Sequence, residues 1–294
     1  MRSRYALFAA LLLTAACTSP ESGVGTTTAT TQPSTTSTRV DSTTTSAPPQ
    51  PTQPGKEFGV YFFFDGYPVE PGPYLVPVER SGGGGVEEAL VALMGGVTAA
   101  ESDMGLSTVI PPGTRVLGVD VTEKVARVDL TREFESGGGS LSVLGRVAQV
   151  VYTATSFDEV DAVEFLIEGE PVEVLSGEGL VLEGPQTRQG YEDLLPAIAI
   201  EQPVWGASVS SVVDLIGTAV TASGEVSYVV VDADGFIVAQ GMVTVQSAGT
   251  RGEFQEDVEL TDVPHPGPGS IIVFEIDADG AQTHVLEYPL SVEG

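Results

Sequence analysis

The sequence predicts two folded parts, an α+β domain with a mixed sheet and helices on one face, followed by an all-β sandwich. One observation is a hairpin pattern followed directly by a helical pattern between Thr114 and Ser156. Another is the order of apolar segments from Phe58 onward, which is β-β-α-β-β-α-β. The third is a series of seven short strand patterns after Ala197, which is typical of a sandwich.

Residues 1–17 have the features of an export signal. Two arginines precede an apolar run, small residues follow it, and the run is shorter than the roughly 20 residues that span a bilayer. The stretch LTAAC resembles a bacterial lipobox, in which the cysteine is acylated, although Thr14 stands where a branched aliphatic residue is usual. We therefore expect lipidation at Cys17 and an anchor on the extracytoplasmic face of the cell membrane. An ordinary signal cleaved near Ala16 is the alternative.

Residues 18–56 consist mainly of Thr, Ser, Pro and Gln and contain almost no apolar side chains. Such a segment buries too little surface to offset the entropy of ordering it, so we expect a disordered tether. The composition leaves glycosylation of its threonines open.

The first elements of the α+β domain, which is predicted to span residues 57–184, are two strands and a helix. Residues 60–64 form a buried strand, and residues 74–80 form a second strand that Pro77 restricts to a sheet edge or a bulge. Residues 86–94 form a helix that ends at a glycine pair. Its buried stripe is Val86, Ala89, Leu90 and Leu93.

A hairpin follows in the sequence. Strand side chains alternate with period two, so one apolar face consists of Leu117, Val119, Val121, Ala126, Val128 and Leu130. The predicted pairs are Val121 with Ala126, Val119 with Val128, and Leu117 with Leu130. This register leaves Glu123 and Lys124 as the loop, although they match a type I′ turn poorly.

The helix after the hairpin is predicted to cover its apolar face. Its apolar stripe is Leu141, Leu144, Ala148, Val151 and Thr155, widened by Val143, Val147, Val150 and Ala154. We expect Ser140 to cap its start and a solvent-exposed opposite face of Ser142, Arg146, Gln149 and Thr153. Residues 160–167 form the last strand, and Glu168-Gly169 turn the chain.

Residues 185–195 are polar and acidic and are predicted to be a second linker, followed by the β-sandwich at residues 196–294. The seven predicted strands are residues 198–202, 209–219, 226–232, 236–245, 254–260, 271–277 and 284–290. Trp205 is expected to pack in the core or at the rim of the sandwich; if exposed, it would anchor a binding partner.

The first part resembles the GerMN domain (sporulation and spore germination) in the collinear stretches VYFFFDGYPVEPGPYLVPVER, EEALVALMGG, STVIPPGTRVLGVDVTEKVARVDLTREF and VAQVVYTATSFDEVDAVEFLIEGE. The second part resembles the immunoglobulin-like domain of bacterial spore germination in IAIEQPVWGASVSSVVDLIGTA, SYVVVDADGFIVAQG and YPLSV. The resemblance implies modules of extracytoplasmic lipoproteins. It transfers no catalytic residue, and a role in spore germination does not follow from it.

Two Asp-Ala-Asp-Gly stretches are the weak metal candidates, with Asp232 and Asp234 in one and Asp277 and Asp279 in the other. Paired carboxylates suit calcium, but the third ligand and the glutamate of an EF-hand loop are missing. Asp-Gly between two strand patterns also predicts a hairpin turn, which is the favoured interpretation.

The composition excludes several functional classes. The chain carries 12 Lys and Arg against 41 Asp and Glu, a formal charge of −29, which argues against nucleic acid and anionic lipid as partners. One cysteine and two histidines cannot form a typical four-ligand zinc site, and a disulfide within the chain is impossible. His265 and His284 lack a nucleophile motif such as G-x-S-x-G, and no phosphate-binding loop is present.

These observations predict a lipid-anchored, extracytoplasmic, non-enzymatic binding or scaffold protein of the bacterial cell envelope. The expected partner is an unidentified envelope protein or cell-wall component, bound at an open sheet face or edge of the first domain. The lipid is the expected contact with the membrane, and we expect no cofactor. The alternatives are an envelope glycan hydrolase that uses an acidic pair and a calcium-dependent adhesive module.

Overall fold

The structure is a computed structural model that describes residues 56–66, 72–175, 179–247 and 249–294. The export signal, Cys17 and the tether up to Gly55 therefore lie outside the described residues. Within the described residues, no helix combines the length and the apolar character that crossing a membrane requires.

The first part has the predicted α+β class. Its strands are β1 (Lys56–Phe64), β2 (Tyr74–Gly82), β3 (Leu106–Ser107), β4 (Val116–Thr122), β5 (Val125–Leu130), β6 (Ala162–Ile167), β7 (Glu170–Pro171), β8 (Val174–Leu175) and β9 (Leu180–Val181). Its helices are α1 (Val86–Gly95), α2 (Ala99–Asp103) and α3 (Ser140–Ala154), with a 3-10 turn at Arg132–Glu135. The larger strands form a sheet of order β2-β1-β3 and a mixed sheet of order β4-β5-β6-β7.

The predicted strands and helices are present, and the buried stripe of α1 is confirmed. The hairpin register is correct at Val121 and Val119 but wrong at Leu117. A bulge between Val116 and Gly118 pairs Val116 with Leu130, and Leu117 is 49% exposed. The extra residue of the bulge shifts the residues before it by one position, so Val116 takes the place predicted for Leu117. Glu123 and Lys124 both have positive φ, the type I′ conformation that their identity argued against.

The prediction of a solvent-exposed face on α3 is wrong. Arg146, Gln149 and Thr153 are at most 1% exposed, because α3 lies between β1 on one side and β6 on the other. The start of α3 also differs from the prediction. Gly139 is the N-cap without a side-chain hydrogen bond, and Leu141 is 67% exposed.

The buried polar stripe of α3 satisfies the backbone of β1. Strand β3 pairs with Phe63 and Phe64, so Tyr61 has no strand partner on that side among the described residues. The N–H of Tyr61 donates to Thr153 Oγ1 at 3.0 Å, and Gln149 Nε2 donates to the carbonyl of Tyr61 at 2.9 Å. The side chains of α3 therefore supply the hydrogen bonds that a neighbouring strand would otherwise make, since buried backbone groups require partners.

Arg146 holds the loop in front of α3. Its guanidinium donates to the carbonyls of Phe134, Ser136 and Gly137 at 2.6, 2.9 and 2.9 Å. A buried cation is tolerated there because several carbonyl oxygens replace its water.

The second part is the predicted sandwich. Its strands are β10 (Ile198–Gln202), β11 (Ser208–Val209), β12 (Val212–Ala219), β13 (Glu225–Val231), β14 (Ile237–Thr244), β15 (Gly252–Glu259), β16 (Gly267–Ile276) and β17 (Gln282–Val292). They form sheets of order β10-β12-β15 and β11-β17-β16-β13-β14. All seven predicted strands are present, and one of them is split into β11 and β12 around Ser211, which has positive φ.

The segment that was predicted to be a linker is folded. A 3-10 helix spans Arg188–Leu194, and both Tyr191 and Leu194 are buried. Tyr191 donates to Gln186 Oε1 at 2.7 Å, and Tyr152 of α3 donates to the carbonyl of Arg188 at 3.2 Å. The segment therefore packs on the first domain.

Candidate functional site

The two domains belong to one compact unit that spans residues 51–294, and they meet along the outer edge of β2. The N–H of Trp205 donates to the carbonyl of Pro77 at 2.8 Å, and the N–H of Glu79 donates to the carbonyl of Trp205 at 3.0 Å. Trp205 thus forms a parallel bridge with Val78. Pro77 is tolerated because its missing N–H would point away from β1, as predicted for an edge strand.

The same segment also pairs with the sandwich. Gly206 donates to the carbonyl of Pro289 at 2.9 Å, and Ser291 donates to the carbonyl of Ala207 at 2.9 Å. Residues 204–207 therefore lie between an edge of the first domain and strand β17 of the second, and they lead directly into β11, which pairs along the same side of β17. Exposed edges invite pairing with other chains, and here one short segment covers both.

The side chain of Trp205 fills the space between the domains. Its ring centroid lies 4.7 Å from that of Phe64 in β1 and 5.4 Å from that of Tyr288 in β17, and it is only 6% exposed. The expectation that Trp205 packs in the core is confirmed. Its Nε1 has no hydrogen-bond partner among the described residues.

Arg188 makes a second connection. Its guanidinium lies 2.7 Å from Glu201 of β10, donates to Thr155 Oγ1 at 2.7 Å, and lies over the rings of Tyr61 and Tyr152. Burial acts to lower the pKa of Arg188, but Tyr61 and Glu201 outweigh it and hold that pKa above its ordinary value. Burial raises the pKa of Tyr152 to about 12. The arginine therefore stays charged and the tyrosine stays neutral.

A cleft of about 680 Å³ opens beside this junction and is lined by both domains. Its aromatic side chains include Phe58 and Phe157, whose ring centroids lie 6.3 Å apart. Its acidic side chains are Glu57, Glu79, Asp158, Glu159, Glu201 and Asp214. Lys56 is the one basic residue among the described residues that line it. The volume and the position at a domain boundary match those of ligand sites, whereas the lining is more polar than is usual for one.

Glu79 is a partly buried acid of the cleft. Burial raises its pKa, and the nearby charge of Glu57 raises it further. The strand register makes Glu57 and Glu79 diagonal neighbours on one face of the sheet. Glu79 Oε2 is buried without a hydrogen-bond partner among the described residues. No motif in the sequence marks this pair, although the alternation of β1 and β2 places both acids on the same face.

The four predicted metal candidates lie in two separate turns. Asp232 and Asp234 belong to the β13–β14 turn, and Asp277 and Asp279 belong to the β16–β17 turn. Val231 pairs with Ser270 near the start of β16, whereas Asp277 follows its end, so the turns lie at opposite ends of the sandwich. Among the described residues, no group of three or more His, Cys, Asp or Glu could hold a metal ion.

The carboxylates of both turns accept backbone hydrogen bonds. Asp232 Oδ1 accepts from the N–H of Asp234 and Phe236, and Oδ2 accepts from the N–H of His265. Asp277 Oδ1 accepts from Asp279 and Ala281. This is the hairpin geometry that the sequence favoured. The calcium alternative stays a prediction.

The two histidines lie beside carboxylates of the sandwich. His265 Nδ1 is 3.2 Å from Asp234 Oδ2, and its ring stacks on Phe236 with centroids 5.2 Å apart. His284 Nε2 is 3.9 Å from Glu275 Oε2. Neither pair includes a nucleophile.

Two family models match the chain in tandem. The model described as "Sporulation and spore germination" matches residues 59–173, and the model described as "Immunoglobulin-like domain of bacterial spore germination" matches residues 197–282. No curated protein matches the chain.

Solved structures are also similar. The first GerMN domain of the sporulation protein GerM from Bacillus subtilis is 20% identical with a TM-score of 0.39, covering 46% of this chain and 98% of that one. The tandem GerMN domains of the same protein are 15% identical with a TM-score of 0.40, covering 81% of this chain and 60% of that one. A putative lipoprotein from Clostridium perfringens is 19% identical with a TM-score of 0.33, covering 48% of this chain and 93% of that one.

Proposed function

The chain carries a GerMN domain followed by an immunoglobulin-like domain of bacterial spore germination, and from this we propose that it is a lipid-anchored, non-enzymatic scaffold protein of the bacterial cell envelope. In this proposal the tether holds both domains at the extracytoplasmic face as one binding unit.

The direct contact between the two domains is the observation that supports the proposal. Backbone pairing of Trp205 with β2, the burial of its ring against Phe64, and the Arg188–Glu201 ion pair all hold the same relative placement. Interfaces between domains of one chain usually permit relative motion unless they are large and apolar. A junction with a shared aromatic core instead presents two sets of surfaces in a fixed arrangement, which suits a scaffold.

The pairing also changes where a partner would bind. The sequence pointed to an open sheet face or edge of the first domain, but at the edge residues 77–79 of β2 are already paired with Trp205. The outer strand β4 is a remaining edge, with Leu117 49% and Val121 38% exposed. The formal charge of −29 favours a neutral or basic envelope protein or cell-wall component as the partner.

Lipid labelling in living bacteria tests the anchor. The native chain should incorporate a fatty-acid probe and sediment with membranes, and a Cys17→Ala variant should do neither. Equal labelling of the variant would remove the anchor from the proposal.

Site-specific photo-crosslinking tests the scaffold role. A crosslinking residue at Leu117 should capture a discrete envelope component, whereas the same residue at Leu141, which is exposed on α3, is the control. Indistinguishable products from both positions would contradict a defined binding surface.

A glycan hydrolase is the second candidate, favoured by Glu79. A carboxyl with a raised pKa beside a second carboxylate in a cleft is the arrangement of a glycosidase acid and its partner. The test is release of soluble fragments from purified peptidoglycan. If Glu79→Gln abolishes the release of fragments and the exposed control Glu123→Gln retains it, the hydrolase replaces the non-enzymatic proposal. If the native chain releases no fragments, the non-enzymatic proposal is supported.

A further inference from the structure

Strand β14 is the outer strand of the five-stranded sheet, and the part of its free edge that follows a bulge at Val238 lacks the usual protection. Its sequence IVAQGMVT contains no charged residue and no proline. Ile237 and Met242 are 58% and 57% exposed. Natural edge strands normally carry charges, prolines or bulges that discourage pairing with other chains, so an unguarded edge is a typical binding surface.

The hydrogen bonds at both ends of β14 show which backbone groups face outward. The carbonyl of Val238 accepts from the N–H of Thr261 at 2.9 Å, and the N–H of Gln246 donates to the carbonyl of Glu253 at 2.9 Å. The N–H of Val245 instead donates to Gly224, on the β13 side, at 2.9 Å. In an antiparallel ladder, alternate residues point to opposite sides.

Even-numbered residues of β14 therefore point away from β13. Between the two closed ends, Gln240, Met242 and Thr244 present their N–H and carbonyl groups at the edge. In the described part of the chain, β14 pairs with no strand other than β13. The free edge is thus about five residues long, which is enough for a short extended segment.

The neighbouring edge strand of the other sheet is guarded by acids. Strand β15 carries Glu253, Glu256, Asp257 and Glu259, all exposed. None of them forms an ion pair with a described basic side chain. Leu215 of β12, which is fully buried, pairs with Glu256, so Glu256 points inward toward the seam between the sheets. An inward-pointing charge is an edge-protecting device, and β14 has none.

Tyr228 connects the two edges. It pairs with Gly241, where a β-carbon would collide with the Tyr228 hydroxyl, so its ring extends over the inner side of β14. Burial and the charge of Glu256 raise the pKa of Tyr228. A strand added to β14 would therefore place its inward side chains near Tyr228 and Glu256, the acid of β15 that points inward.

We propose that an extended, basic polypeptide segment binds to β14 as an added strand, pairing with Gln240, Met242 and Thr244 and placing lysine or arginine side chains beside the acids of β15. This names the chemistry of a partner and rests on the proposed scaffold function. A second copy of the chain is a poorer occupant, because two copies paired through β14 would bring their acidic β15 strands together within a total charge of −29 each.

The test is a titration of the purified two-domain chain with three capped eight-residue peptides. One alternates valine and lysine, the second alternates valine and glutamate, and the third is the basic peptide with every backbone amide N-methylated, which removes the donors from both of its edges. We expect binding of the basic peptide alone, weakened by salt because charges contribute. Failure would appear in this titration, whereas failure of the scaffold proposal would appear in the lipid and crosslinking experiments in cells.

Two variants locate the site. Met242→Pro removes an N–H that points outward and not toward β13, so we expect the fold to be retained. The peptide loses one hydrogen bond to the edge and the register which that bond sets, so binding should weaken about tenfold or more. Met242→Lys should repel the basic peptide, whereas Ile276→Lys is the matched control, since Ile276 is 42% exposed but lies in the inner strand β16.

Three outcomes overturn the proposal. The first is no binding of the basic peptide. The second is binding that Met242→Pro leaves unchanged, which would mean diffuse attraction to the acidic surface. The third is a concentration-dependent dimer that Met242→Pro abolishes without any peptide binding, which would make a second copy the occupant.

Discussion

The indole ring of Trp205 in the immunoglobulin-like domain lies 4.7 Å, between centroids, from the ring of Phe64 in the GerMN domain. Both residues are buried, and the contact lies beside the backbone bonds that join Trp205 to Pro77 and Glu79. The two domains therefore share part of one hydrophobic core and should unfold together.

Replacement of Trp205 by alanine should lower the free energy of unfolding by about 3–5 kcal/mol, because a large buried ring leaves a cavity that the junction fills only partly. Urea unfolding followed by circular dichroism measures it, since the variant lacks the one tryptophan of the chain. Phe236→Ala is the control, because Phe236 is 57% exposed, and it should change stability by less than about 0.5 kcal/mol. A Trp205→Ala cost below about 1 kcal/mol would show that the domains do not depend on this contact.

The pair of Arg188 and Glu201 should couple the domains in a measurable way. Their side chains are 25% and 30% exposed at a separation of 2.7 Å, so solvent screening is partial. A double-mutant cycle with Arg188→Ala and Glu201→Ala should give a coupling energy of about 1 kcal/mol in favour of the pair. The same cycle on the more exposed pair Lys124–Asp161 should give a value near zero. Equal coupling in both cycles would contradict a special role for Arg188.

Helix α3 shows which structural features the local sequence predicts and which it does not. Period 3.6 identified the helix and its apolar stripe, but a polar stripe has the same pattern whether it faces water or the backbone of a neighbouring strand. The two-residue length of β3 decides between these two environments. It leaves the N–H and carbonyl of Tyr61 without a strand partner among the described residues, so the polar stripe faces that backbone. That length depends on tertiary pairing, which no local pattern of residues 140–155 contains.

Gln149→Leu should therefore be strongly destabilising although the volume is nearly conserved. Gln149 donates to the carbonyl of Tyr61 and accepts from Thr108 Oγ1 and the N–H of Val109, each at 2.9–3.1 Å. Leucine would leave the two backbone groups buried and unpaired, at about 1–3 kcal/mol each. Thermal and urea unfolding measure the loss. Leu141→Ala is the control on the exposed side of the same helix, and a Gln149→Leu variant as stable as that control would refute the bridging role.

The sandwich was easier to predict than the site between the domains. Its seven strands follow from alternation and turn residues, which are local signals, and Asp232 and Asp277 lie in the turns that Asp-Gly predicts. The cleft depends on residues 204–207 binding β2, a contact between segments more than 120 residues apart. The sequence shows the acidic residues of the cleft, but it does not predict that they line the same cleft.

Calcium should leave the melting temperature unchanged at millimolar concentration. Asp232 and Asp277 already accept backbone N–H groups, and the described residues contain no cluster of three or more ligands. Differential scanning calorimetry with and without calcium measures it, with magnesium at equal ionic strength as the control, because any salt screens a chain of charge −29. A rise that is specific to calcium and absent in Asp232→Asn or Asp277→Asn would establish the calcium-dependent alternative.

Glu79→Gln should raise stability at neutral pH and lose this effect in acid. Burial and Glu57 raise the pKa of Glu79 in the folded chain, so the folded state holds its proton more tightly than the unfolded state. Because the slope of stability with pH follows the protons bound by the unfolded minus the folded state, this residue makes stability fall as pH rises through its folded pKa. Below the unfolded pKa, both states are protonated and the wild type and the variant should melt together.

Melting curves of the two proteins between pH 3 and pH 8 measure the difference, with Glu123→Gln as the exposed control. Glu57→Gln should act in the same direction and more weakly, since it removes the smaller of the two causes. A difference that grows on acidification would mean that Glu79 is held as a carboxylate, and the cleft would then lack the protonated acid that the hydrolase alternative requires.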